Sequence, residues 1–213
     1  KHIDLAICTH PDSDHKDGFF DLLQDEEITI KEFWLTDPAC FLDEQDMKRY
    51  QNHENAAIAV RKIWNKSTDS RLNLIDLASV KCERVRSVID GTQHDTLPIT
   101  VLGPTEGYYG EIVKDMVAQY GINTYKESSK NAYDETFRIN ETEIKSVIDT
   151  VEDDSPFNAS SLIIFYQPEE DKKILFAGDA NTTSLQMTLD KYEWMRDIDM
   201  LKVPHHGSRH NLN

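Results

Sequence analysis

Four side chains that can bind a metal ion lie within six residues near the start of the chain. They are His10, Asp12, Asp14 and His15, and they follow a short apolar run. Imidazole nitrogens and carboxylate oxygens both suit divalent ions of the zinc and manganese kind. Packing two carboxylates and two imidazoles together without a cation costs repulsion and desolvation. The alternative interpretation is a solvated acidic loop with two incidental histidines.

Two later segments also place chemical groups directly after apolar runs. Asp179 follows a hydrophobic segment and Gly178, where a glycine allows close backbone approach. The alternative role for this aspartate is to cap a following helix. His205 and His206 follow a second short apolar run and precede Gly207, which predicts either a ligand turn or a solvated pair. The three segments together indicate a metal site more strongly than any one of them.

The elements that must position these groups alternate between strands and helices. Strands are predicted by alternating or short apolar runs over residues 2–8, 98–102, 143–148, 160–166, 172–177 and 200–203. Helices are predicted over residues 43–66, 74–88, 109–120 and 183–195, with loops over 126–134 and 151–156. This alternation is typical of an α/β fold. The metal-type residues come just after strands, where rigid scaffolds usually present catalytic groups.

The length and composition predict an ordinary globular chain. With 213 residues, the chain fits one domain over 1–213. No apolar run approaches the roughly 20 residues that span a bilayer, and no signal peptide opens the chain. Three cysteines without a C-x-x-C pair suit a reducing compartment, so we expect a cytoplasmic protein. Lys1 leads straight into a strand, and we expect the numbering to begin within a larger protein.

The charge limits the partners that this chain can bind. It has 39 acidic and 23 basic residues, a formal net charge of -16. Binding to a nucleic-acid backbone normally needs a basic stripe, and the nearest approach to one is the pair Lys172 and Lys173. We therefore expect no tight nonspecific binding to nucleic acid, although metal ions could still bind phosphate locally.

The motifs resemble those of the metallo-β-lactamase superfamily. More narrowly, they resemble the metallo-β-lactamase-like domain of DNA-uptake competence proteins of the ComEC type. The pattern T/S-H-x-D-x-D-H-x-x-G is matched from Thr9 to Gly18, and the pattern lKvpHHGS from Leu201 to Ser208. Between them, residues 158–161 match N-x-x-S, and residues 174–179 match a strand that ends in Gly-Asp. The resemblance spans most of the chain apart from residues 39–95.

This resemblance implies a fold as well as a site. The implied fold is the αββα four-layer sandwich, truncated at both ends, because the superfamily has strands before the first motif and a further element after the last. Residues 39–95 are helix-rich and acidic, and they are our candidate for a lid or a partner surface.

The resemblance also implies a ligand set for two divalent metal ions. His10 and Asp12 would hold the first ion, Asp14, His15 and His206 the second, and Asp179 would bridge them. We favour His206 over His205 because it precedes Gly207. Asn158 stands where the superfamily has a third-motif histidine and would be a weak oxygen ligand or none. The first site is then oxygen-rich and weak, which shifts its preference from zinc toward manganese or magnesium.

The function implied is a metal-dependent hydrolase, most directly a phosphodiesterase or nuclease. Two metal ions would activate a water, and Asp14 would orient it and take its proton. Asn158, His205 and Ser208 could contact the substrate or serve as alternative ligands. A hydrolase of a small ester, lactone or amide is the alternative that the acidic composition supports. A degenerate domain that serves as a non-catalytic binding module is the third interpretation.

Overall fold

Two β-sheets and the helices packed against them form the described part of the chain. The computed structural model describes residues 1–49, 52–66, 73–120 and 155–211. The first sheet has three parallel strands in the order β1 (His2–Ile7), β2 (Thr29–Leu35) and β3 (Cys82–Ser87). The second sheet has the order β4 (Ile99–Gly103), β5 (Ile163–Glu169), β6 (Lys172–Phe176) and β7 (Met200–Lys202). Strands β4, β5 and β6 pair antiparallel, whereas β6 and β7 pair parallel.

The helices connect these strands. They are α1 (Ser13–Gln24), α2 (Glu44–Arg49), α3 (His53–Asn65), α4 (Leu74–Lys81), α5 (Glu106–Tyr120), α6 (Pro156–Ala159) and α7 (Thr182–Lys191). Short 3-10 segments lie at Pro38–Phe41, Glu193–Asp197, His205–Gly207 and Arg209–Asn211. The α/β class predicted from the sequence agrees with this mixture of helices and strands. Within the described residues, no helix has the length and apolar character needed to cross a membrane.

The predicted helix over residues 74–88 is wrong in its second half. The helix α4 ends at Lys81, and the residues that follow form β3. Strand β3 pairs in parallel with β2, which brings Arg84 and Arg86 beside the buried Glu32. Their guanidinium groups lie 3.6 Å and 3.4 Å from the Glu32 carboxylate oxygens. This charge compensation favours the strand, and it depends on a partner about 50 residues away in sequence.

Other boundaries also differ from the predictions. The helix predicted over 43–66 is interrupted and forms α2 and α3, and the one over 183–195 ends at Lys191 before a 3-10 segment. Pro156, predicted at the end of a loop, begins α6. Helix α1 and strand β2 were not predicted. The strand predicted over 143–148 and the loop over 126–134 lie outside the described residues.

The core consists of several apolar clusters on the faces of the two sheets. One lies between the first sheet and helices α1, α3 and α4, and includes Phe33, Trp64 and Leu74. The buried side chains of a second cluster, between the two sheets, are those of Trp34, Val88, Val101, Leu162 and Ile164. A further cluster lies between the second sheet and α7 and includes Ile163. Adjacent residues of β5 thus serve opposite faces, as strand geometry requires. Residues 39–95 supply α3, α4 and β3 to this core.

Truncation of a side chain between the sheets should destabilise the fold. Val101 is fully buried there, and Val101→Ala removes two carbons from a packed site. We expect a loss of about 2 kcal/mol in the free energy of unfolding, measured by urea denaturation. The same substitution at Val80, which is 80% exposed, is the control and should have little effect. Equal effects of the two substitutions would contradict the packing of the two sheets against each other.

Candidate metal centre

The ends of three strands bring the candidate ligands to one edge of the two sheets. The residues after β1 begin α1, which places Asp14 and His15 on its first turn. Asp179 follows β6, and His206 follows its parallel neighbour β7. A hydrogen bond from the Leu162 amide to the Thr9 carbonyl, 3.0 Å long, ties the loop after β1 to the start of β5. Because β5 runs antiparallel to β6, that point lies at the same edge as the end of β6.

Four of these residues form a compact cluster. Each of Asp14, His15, Asp179 and His206 offers a ligand atom, and all four atoms lie within 4.8 Å of one another. The Nε2 atom of His15 is 3.2 Å from Asp179 Oδ1 and 3.6 Å from Asp14 Oδ2. The Nε2 atom of His206 is 3.0 Å from Asp14 Oδ2. The structure therefore brings together residues that are far apart in the sequence.

His10 contacts the other side of the same aspartate. Its Nε2 atom lies 3.7 Å from Asp179 Oδ2, whereas His15 faces Asp179 Oδ1. The imidazole rings of His10 and His15 have centroids 4.2 Å apart. The carboxylate of Asp179 thus lies between two imidazoles, each facing a different oxygen.

The donor atoms of this cluster fit a divalent cation. Three buried atoms, His10 Nε2, His15 Nε2 and Asp179 Oδ1, form no hydrogen bond of regular geometry with any described residue. Buried polar atoms are nearly always hydrogen-bonded, so three exceptions at one point require an explanation. Two nitrogens and two carboxylates from the four-residue cluster match the ligands that zinc and manganese take in proteins.

The protonation states of these groups also suit a cation. Burial, and then the charge of His15, lowers the pKa of His10 to about 4, so its imidazole is neutral at pH 7. Burial raises the pKa of Asp179, but the contact with His15 and the charges of His10 and His15 outweigh this and lower it to about 2. Burial likewise raises the pKa of Asp14, and the hydrogen bond with His206 reverses the shift. Both carboxylates are therefore ionised at neutral pH.

The backbone around Asp179 is specialised to present its carboxylate. Gly178 has a φ of +54°, and a Cβ atom there would lie 3.0 Å from the Ser161 Cβ. The Asp179 amide donates to the Ser161 hydroxyl over 3.0 Å, and the Asn211 side-chain amide donates to the Asp179 carbonyl. Helix α7 is capped by Asn181, so capping by Asp179, the alternative left open by the sequence, does not occur. The carboxylate faces the histidines instead.

The two adjacent histidines point in different directions. Their φ values are +44° at His205 and +54° at His206, in the left-handed region that non-glycine residues rarely adopt. This backbone turns His206 toward Asp14, whereas the His205 Nδ1 atom contacts the Asn211 side-chain oxygen at 3.0 Å. His206, the residue that the sequence favoured, is thus the one that lies in the cluster. Backbone strain of this kind concentrates at functional sites.

The remaining predicted residues lie outside the four-residue cluster. The Asp12 carboxylate contacts the Lys66 ammonium at 2.5 Å. Asn158 is buried on the short helix α6, and the Ser208 hydroxyl accepts a hydrogen bond from the His210 amide. The roles predicted for Asp12, Asn158 and Ser208 stay predictions.

Three contributors to the site were not recognised in the sequence. They are Lys66, Asn211 and Lys202, whose ammonium lies 3.1 Å from the Gly178 carbonyl oxygen and 4.0 Å from Asp179 Oδ1. Lys202 belongs to the Leu201 to Ser208 motif, so the sequence could have indicated that it lies near the site. No sequence pattern indicated Lys66, because 54 residues separate it from Asp12.

Comparison of this chain with protein-family models, with curated proteins and with solved structures gave no match. The functional proposal therefore depends on the residues and on the geometry described above.

The buried imidazole of His10 should make the metal-free protein sensitive to acid. Its pKa is about 4 in the folded chain, below the ordinary value of 6.5, so the unfolded chain takes up a proton first as the pH falls. The free energy of unfolding therefore does not depend on His10 protonation above about pH 6.5, and it decreases as the pH falls from 6.5 toward 4. Relative to His10→Gln, the wild-type protein in chelator should lose about 2–3 kcal/mol of unfolding free energy between pH 7 and pH 4.

Urea denaturation at each pH measures this difference. His53→Gln is the control, because His53 lies exposed at the start of α3, and this variant should follow the wild-type curve. Parallel curves for wild type and His10→Gln would show that His10 is not held neutral by burial.

Proposed function

We propose that this chain is a metal-dependent hydrolase of phosphodiesters, and that Asp14, His15, Asp179 and His206 hold a divalent cation. The observation that carries the proposal is the convergence of these four side chains from three separate segments of the chain. Zinc or manganese is the cation that two imidazoles and two carboxylates suit best.

The burial of Asp179 supports a cation at this point. The residue is 2% exposed and its carboxylate is ionised, and the Lys202 ammonium lies 4.0 Å from its Oδ1 atom. Removing a charge from water costs several kcal/mol unless an opposite charge compensates it. A divalent cation would supply that compensation and would also use the unpaired Nε2 atoms of His10 and His15. Without a cation, the desolvation of the Asp179 carboxylate and of the unpaired imidazole nitrogens would be only partly compensated.

The packing of the sheets supports the four-layer αββα sandwich as the fold. Helices α1, α3 and α4 cover one face of the first sheet, and α7 covers a face of the second. The remaining faces share the apolar cluster around Trp34 and Val101. We propose this layer order on the basis of these clusters and of the motif resemblance.

The residues of the centre can then divide the work of hydrolysis. A divalent cation held by Asp14, His15, Asp179 and His206 would act as a Lewis acid toward the scissile group and the attacking water. The Asp14 carboxylate is half exposed and ionised, so it can orient that water and accept its proton. The Lys202 ammonium, anchored on the Gly178 carbonyl, can place positive charge beside the oxygens of a phosphate group.

A small ester, lactone or amide is the second candidate substrate. The net charge of -16 and the lack of a Lys/Arg cluster in the sequence favour a substrate that needs no basic track. Preference for a phosphodiester depends on the motif resemblance, because the fold alone does not select the substrate. A binding module without catalysis is the outcome if no cation binds.

A chromogenic phosphodiester tests the proposed reaction. With added manganese, the purified protein should hydrolyse bis(4-nitrophenyl) phosphate, and Asp14→Ala should lower kcat/KM by about 100-fold or more because it removes the proton acceptor and one cation ligand. The control is Asp17→Ala, an exposed carboxylate on the same helix, which should keep its activity. Unchanged turnover in Asp14→Ala rejects the assigned role, and activity on a nitrophenyl ester alone favours the second candidate.

Cation binding should also stabilise the folded chain. At a free metal concentration of about 100 times Kd, the free energy of unfolding should rise by about 2.7 kcal/mol. His206→Ala removes one ligand and should abolish most of this gain, whereas His53→Ala should retain it. Thermal or urea unfolding with zinc, with manganese and with chelator measures the effect. A full gain in His206→Ala would remove His206 from the ligand set.

A further inference from the structure

The carboxylate of Asp12 is engaged by a lysine and not by the cluster. Its Oδ1 atom lies 2.5 Å from the Lys66 ammonium, and both side chains are about two-thirds to three-quarters buried, at 31% and 26% exposure. Asp12 is the N-cap residue of α1, where an aspartate usually accepts a hydrogen bond from the helix backbone, yet its side chain makes no such bond. The ion pair with Lys66 has taken its place.

Lys66 is held in position by more than this ion pair. Its ammonium also lies 3.9 Å from the centroid of the buried Phe157 ring, a favourable cation–π distance. The residue ends α3 in the left-handed conformation, with a φ of +46°, and its amide donates to the Ile63 carbonyl. A lysine costs about 1 kcal/mol more than glycine in this conformation. The contacts of the lysine side chain with Asp12 and Phe157 therefore favour lysine at this position, although its backbone conformation does not.

These contacts leave few donors for a first cation. With Asp12 paired to Lys66, the described part of the chain offers His10 Nε2 and Asp179 Oδ2, 3.7 Å apart, on that side of the cluster. Zinc sites use at least three protein ligands. A neutral oxygen from Asn158 would add no charge, and a cation close to the Lys66 ammonium is repelled by it. The opposite side of Asp179 offers the complete set of Asp14, His15 and His206.

We infer that this chain binds one divalent cation rather than two, and that Lys66 excludes the first cation by neutralising Asp12. The inference rests on the proposed function, because it concerns how many cations the same centre holds. It replaces the pair of ions expected from the sequence with a single ion and an ammonium group.

Metal stoichiometry tests the inference without an activity assay. Metal-free protein is dialysed against increasing zinc, and bound metal per chain is measured by elemental analysis. The wild type should bind one equivalent. Lys66→Met releases Asp12 and should bind a second equivalent of zinc. The affinity of this variant for the second equivalent should be at least roughly 10-fold higher than that of the wild type. The double variant Lys66→Met with Asp12→Asn should return to one equivalent.

A matched control and a second readout accompany this series. Lys62→Met removes an exposed lysine from the last turn of the same helix and should leave one equivalent. With cobalt in place of zinc, two ions about 4 Å apart would couple magnetically and weaken the electron paramagnetic resonance signal per ion. The wild type should give the signal of an isolated ion, and loaded Lys66→Met a coupled one.

The outcomes separate this inference from the proposal that it rests on. Two equivalents of similar affinity in the wild type would overturn the inference and leave the hydrolase proposal intact. No bound metal in the wild type would overturn the hydrolase proposal itself. One equivalent in a folded Lys66→Met would show that Lys66 does not exclude a second cation. If Lys66→Met does not fold, Asp12→Asn decides: an unchanged single equivalent supports the inference, and a weakened one shows that Asp12 is a ligand.

Discussion

The carboxylate of Asp179 is buried between the imidazoles of His10 and His15, which face its two oxygens at 3.7 Å and 3.2 Å. An ionised group at this depth must be compensated by positive charge or by hydrogen bonds. Much of the surrounding structure serves to hold it there. Gly178 allows the backbone to approach Ser161 closely, and Ser161 and Asn211 bind the main chain on either side of the carboxylate.

The two sheets make this arrangement possible through the directions of their strands. Strands β6 and β7 run parallel, so Asp179 and His206 leave the second sheet at the same edge. The bond between Thr9 and Leu162 brings the end of β1 to that edge from the first sheet. The first turn of α1 then directs Asp14 and His15 toward the ends of β6 and β7. A cation at this point would link residues that follow the first sheet, Asp14 and His15, to residues that follow the second, Asp179 and His206.

The two sides of Asp179 differ in the charge that they present. On one side, Asp14, His15 and His206 converge on Asp179, and each offers an atom that could bind a metal ion. On the other, His10 stands beside an aspartate that a lysine already neutralises. That lysine comes from the end of α3, within residues 39–95, for which the motifs implied no role in the site. Among the described residues of this region, Lys66 thus contacts a predicted ligand, in addition to the part of the region in the core.

Local sequence patterns determined the features that depend on neighbouring residues. The α/β class, strands β1, β4, β6 and β7, and the types of the candidate ligands follow from periodicity and from short motifs, because side chains within one element repeat with its geometry. Tertiary structure decided the features that depend on distant partners. Strand β3 pairs with β2, where Arg84 and Arg86 lie beside Glu32, and Asp12 contacts Lys66 across 54 residues. The motif resemblance favoured His206 over His205, but only the folded turn shows that His206 lies beside Asp14 while His205 contacts Asn211.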